Sequence, residues 1–96
     1  MALSLKHISQ RLAIPQDELV KKSVLSFVTH EVRLAEWDIS EIRDRYAVSS
    51  RTELESKIKS TEIYSHPAWE DLIHWESLDE YILKLHSIEE EIKRAA

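Results

Sequence analysis

Glycine and cysteine are both missing from this sequence, and proline occurs only twice, as Pro15 and Pro67. Without cysteine there is no disulfide scaffold and no thiolate metal site, which fits a reducing compartment. Glycine is the residue that most readily takes positive φ. Its absence argues against tight hairpins, phosphate-cradling loops and nucleophile elbows. No run approaches the roughly 20 apolar residues of a membrane span, and the first residues lack a basic-then-apolar signal pattern. A soluble, cytoplasmic protein with no membrane partner is the expectation.

The 96 residues contain 43% apolar and 32% charged side chains, enough apolar content to fold. The length allows one domain with a modest core, so self-association is a natural source of further stability. The net charge of −5 is unevenly spread. Residues 1–30 carry Lys6, Arg11, Lys21 and Lys22 against Asp17 and Glu18. Residues 61–96 carry nine acids against Lys84, Lys93 and Arg94. A basic head and an acidic tail point to two different partners, or to head-to-tail packing.

Leu5, Ile8 and Leu12 give residues 4–12 a helical period, with Ser4 as an N-cap. Pro15 followed by Asp17 and Glu18 then starts a second helix that meets no breaker until about Ala47. Leu25, Val28, Val32, Ala35, Ile39, Ile42 and Tyr46 form a heptad-like seam along it, widened by Val20, Val24, Phe27 and Leu34. Ser50 and Glu53 have capping-box spacing and open a short third helix over about residues 51–60, with Leu54 and Ile58 inward. Residues 61–66 read as a linker. Pro67 opens a fourth helix whose apolar face is Leu72, Trp75, Leu78, Ile82, Leu85 and Ile92. The fold class is therefore all-α: short, long, short and long helices, the two long ones antiparallel, in a hairpin or bundle that dimerises along the seam.

Chemistry is sparse. His7, His30, His66, His74 and His86 are the histidines. His66, Glu70 and His74 have the spacing of one helical face and are the nearest approach to a divalent-metal site, but His66 precedes Pro67 and falls outside the helix. Asp71 and His74 resemble half of a carboxylate-bridged di-metal motif with no second half. Solvated or capping histidines are the simpler reading. The serines have no triad setting. The chain reads as a non-enzyme with no catalytic residues, no metal and no cofactor.

Binding is better represented. Residues 5–19 resemble a helix–turn–helix element, which would make Lys6, Arg11, Lys21 and Lys22 candidate contacts to operator DNA. Asp17 and Glu18 oppose this by repelling phosphate. The same head could instead supply a pairing strand, or fold Leu5, Ile8 and Leu12 onto the long helix as a latch. In the tail, Trp69, Glu70, Asp71, Trp75, Glu76 and Asp79 combine aromatic anchors with acids, the chemistry of an interface for a basic partner. Trp69 and Trp75 lie some 120° apart around a helix, so both cannot centre one narrow stripe. Core packing is favoured for Trp75; Trp69 divides evenly between core and interface.

The order of a short Ile/Leu helix, the long helix from Ile14 ending in Arg45-Tyr46-Ala47-Val48-Ser49-Ser50, and the cluster from His66 through Trp75 to Leu78 resembles the small antitoxin-type proteins of prokaryotic type II toxin–antitoxin pairs. That resemblance implies a non-catalytic inhibitor. Residues 1–60 would form a helical dimerisation region that also contacts DNA in autoregulation. Residues 61–96 would form an acidic helical region that binds and neutralises a cognate toxin, often a ribonuclease. Three other readings stand beside it: a helical adaptor or assembly subunit, a small dimeric transcription factor, and, last, a metal-dependent enzyme.

Overall fold

The computed structural model describes residues 4–95. Within them the chain forms four helices and no strand: α1 (Leu5–Leu12), α2 (Gln16–Tyr46), α3 (Arg51–Lys59) and α4 (Ser65–Arg94). Each boundary has a local cause. The Ser4 hydroxyl accepts from the His7 N–H at 3.3 Å and starts α1. Pro15 is the N-cap of α2, so the helix begins at Gln16, one residue later than expected, with Asp17 and Glu18 in the first turn. At α3 the Ser50 hydroxyl accepts from the Glu53 N–H at 3.1 Å. The Glu53 carboxylate reaches one residue further back than a standard capping box, accepting from the Ser49 N–H and hydroxyl, each at 2.8 Å. His66 is extended (φ −121°, ψ 124°), so the regular part of α4 begins at Pro67 as its ring geometry favours.

The glycine-free chain still uses left-handed backbone. Ala13 (φ 56°) closes α1, Ala47 (φ 52°) closes α2, and Thr61 (φ 63°) follows α3. At the first two, the cap N–H groups bond back to carbonyls of the last turn, satisfying groups that would otherwise be unpaired. Absence of glycine therefore does not exclude left-handed helix caps here; alanine supplies two of them.

The long helices run antiparallel. The Tyr46 hydroxyl donates to Asp71 near one end, and the Tyr81 hydroxyl donates to Glu31 at 2.6 Å further along. Coverage of this hairpin is unequal. At one end α3 closes over α2 and α4, and Ile39, Ile42, Leu54, Ile58, Leu72 and Trp75 belong to one buried cluster. Leu54 is completely buried. Burial of such a side chain stabilises by about 1.5–3 kcal/mol. At the other end only two long helices meet, around Val28 and Leu85, with α1 packed on α2. The result is elongated, 60 × 32 × 17 Å, with a radius of gyration of 19.3 Å. A compact chain of this length has a radius near 12–13 Å.

Candidate binding interface

Part of the expected partner-binding set is structural. Trp75 is buried in the three-helix core. Asp71 accepts from the Arg45 guanidinium at 2.9 Å and from the Tyr46 hydroxyl, joining the end of α2 to the start of α4. Asp79 lies 3.1 Å from Arg51 Nε and ties α4 to the first turn of α3. The exposed members are Trp69, Glu70 and Glu76. Trp69 keeps 44% of its surface open, and Glu70 lies 2.8 Å from His66 Nδ1.

Two residues not singled out from the sequence join them. Ile73 and Leu83 are 51% and 70% exposed. With Trp69, Glu76 and Glu80 they form the series Trp69, Ile73, Glu76, Glu80 and Leu83, advancing by 4, 3, 4 and 3 residues along the side of α4 turned away from the core. The face is thus three large apolar groups set among Glu70, Glu76 and Glu80. The signal was present as spacing, but the glutamates interrupt the apolar stripe and mask it.

The seam expected to dimerise is largely used within the chain. Val28, Ala35, Ile39 and Ile42 are buried, and Leu25, Val32 and Tyr46 are half-buried. The reason is antiparallel packing: α4 supplies the apolar partner that the seam requires, so a second copy does not have to. The flanking row is what stays open, with Val20, Phe27 and Leu34 at 44%, 57% and 49% exposure. Trp37, further round, is 67% exposed, its indole N–H donating to Glu41 at 3.2 Å.

The latch is formed only in part, with Ile8 half-buried where α1 packs on α2. Leu5 and Leu12 are exposed, and Ser9 is the residue α1 buries, its hydroxyl donating to the Ile14 carbonyl. Of the four candidate DNA contacts, Lys6 and Arg11 are exposed on α1. Lys22 pairs with Glu18 at 3.0 Å, and Lys21 lines a cleft of about 450 Å³ with Asp17, Glu18, Val20, Val24 and Ile92. Acids therefore accompany the two α2 lysines and dilute the positive field.

Two tyrosines and one glutamate are among the groups whose pKa departs from its ordinary value. Burial, then the hydrogen bond to Asp71, raises Tyr46 above the ordinary 10.0. The bond to Glu31 raises Tyr81, with desolvation adding to it. The two hydrogen bonds from Ser49 lower Glu53. All three belong to the joints between helices. Among the described residues no three histidine, aspartate or glutamate side chains converge to hold a metal ion, and no helix is long and apolar enough to cross a membrane.

These features define an all-α helical-hairpin protein, closed by a third helix at one end and carrying open apolar stripes on the outer sides of both long helices. The chain belongs to the uncharacterized protein MJ0235 family, whose sequence model matches residues 1–96 and so spans both stripes. No curated protein and no solved structure gives a significant match.

Proposed function

We propose that the chain is a non-catalytic binding protein that docks a basic partner protein on the outer face of α4. The observation that carries this is that face itself: Trp69, Ile73 and Leu83 exposed between Glu70, Glu76 and Glu80. Large apolar anchors supply affinity by leaving water, and surrounding carboxylates steer a positively charged surface into register. Nucleic acid is disfavoured as the occupant, since the carboxylates would repel its phosphates. A protein with a basic, RNA-handling cleft has the complementary charge. An antitoxin-type inhibitor covering the active cleft of a ribonuclease toxin is the specific form of this reading.

Co-expression tests it. The product of an adjacent small gene should be toxic alone and tolerated beside this chain, and the two should co-purify without a tag. An Ile73→Glu/Leu83→Glu variant should keep its helical circular dichroism while losing both protection and co-purification. If neighbouring gene products never co-purify with the chain, or if the variant protects as well as the parent, the reading fails.

A further inference from the structure

We infer that the outer stripe of α2 is a self-association surface, on which a second copy of this chain packs antiparallel about a two-fold axis beside Phe27. The stripe is a second heptad seam on a helix whose first seam is already occupied by α4. Val20, Ser23, Phe27, His30, Leu34 and Trp37 advance by 3, 4, 3, 4 and 3 residues, the spacing by which one helix offers a continuous edge to another. All six are exposed.

Three observations select a second copy as the occupant. The first is charge. The chain carries −5, so two copies repel wherever they meet through acidic surface. The α4 face, with Glu70, Glu76 and Glu80, is unsuited to self-contact for that reason. The α2 seam has no Asp, Glu, Lys or Arg at any of its six positions, and Glu31 at its inner edge is already engaged by Tyr81, so Val20, Phe27 and Leu34 can meet their like on it. The second is symmetry. Val20 and Leu34 each stand seven residues from Phe27. An antiparallel two-fold therefore places Phe27 against its own copy, Val20 against Leu34 and Val24 against His30 of the other chain, with Ser23 opposite Glu31 and Trp37 opposite Asp17 toward the edges of an isologous interface. The third is area. The chain exposes 7254 Å². A compact monomer of its 11.3 kDa exposes about 5700 Å². The surplus of about 1500 Å² is spread over the elongated chain and leaves room for the roughly 800 Å² that each partner gives to a standard interface. The dimer so formed leaves the α4 faces outward, and the proposal does not depend on what they bind.

Light scattering on the full chain should give twice the 11.3 kDa chain mass. A Phe27→Glu/Leu34→Glu variant should return the mass of one chain, a two-fold fall, with its helical signal unchanged. Because the chain has no cysteine, single-cysteine variants provide a second reading if that variant does not fold. Phe27→Cys should form an inter-chain disulfide on oxidation. A mixture of Val20→Cys and Leu34→Cys chains should cross-link more than either does alone, and Ile73→Cys should remain uncross-linked. A monomeric parent chain, a dimer that survives the double substitution, or cross-linking at Ile73→Cys in place of Phe27→Cys would each overturn the inference.

Discussion

Ala47 holds a left-handed conformation that costs a non-glycine residue roughly 1–2 kcal/mol. Glycine avoids that cost but gives back about 0.5–1 kcal/mol in unfolded-state entropy. Ala47→Gly should therefore raise the unfolding free energy by about 0.5–1 kcal/mol in urea titration, an unusual gain for a glycine substitution. The joint residues carry a pH signature. Tyr46 and Tyr81 are raised from 10.0, so the stability they confer is fully present below that value and is lost as pH rises through their folded values. Glu53 is lowered from 4.5, so its contribution is present above that value and is lost as pH falls. A Tyr46→Phe variant should show a flatter alkaline limb in a plot of denaturation midpoint against pH, and Glu53→Gln a flatter acid limb.

Between helices, the third helix decides where the energy lies. Leu54 and Leu83 are both leucines on amphipathic helices, but one is fully buried and the other 70% exposed. Leu54→Ala should cost about 2–5 kcal/mol by leaving a cavity between α2, α3 and α4. Leu83→Ala should stay within about 0.5 kcal/mol, since it removes no packing. Thermal unfolding of the two variants checks the contrast. Helix boundaries were legible in the sequence because Pro15, the Ser50–Glu53 cap and Pro67 act within a few residues of themselves. The inward face of α4 was legible too, from Leu72 through Leu85. The occupant of each α2 face was not. Periodicity states that a helix has an apolar side; it does not say which neighbour fills it. The seam from Leu25 to Tyr46 therefore reads from sequence as a dimer seam although α4 packs on it, and Val20, Phe27 and Leu34 read as its margin. Trp69 and Trp75 divided as their angular separation required, with one half-open and one in the core.

Across the whole molecule the closed end and the open end are joined by α2, whose 31 residues span about 46 Å. The aromatic and acidic groups suited to a partner lie along α4, and the uncharged stripe suited to a copy lies along α2. Each surface can thus be altered without touching the other. Substitution at Phe27 should change mass while leaving partner capture intact, and substitution at Ile73 should do the reverse; light scattering and pull-down on the same two proteins check this.

The unequal coverage of the hairpin also sets an order of opening. Backbone amides beneath α3, around Ile42 and Leu72, lie at the closed end with the buried cluster, and their exchange with deuterium should require unfolding of that end as a unit. Amides of the first turns of α2 border the open cleft at Val20, and they and those of the outlying α1 should exchange through smaller fluctuations. If two chains join along α2, the slow-exchanging zone should spread toward Val20 as protein concentration rises, while rates under α3 stay fixed.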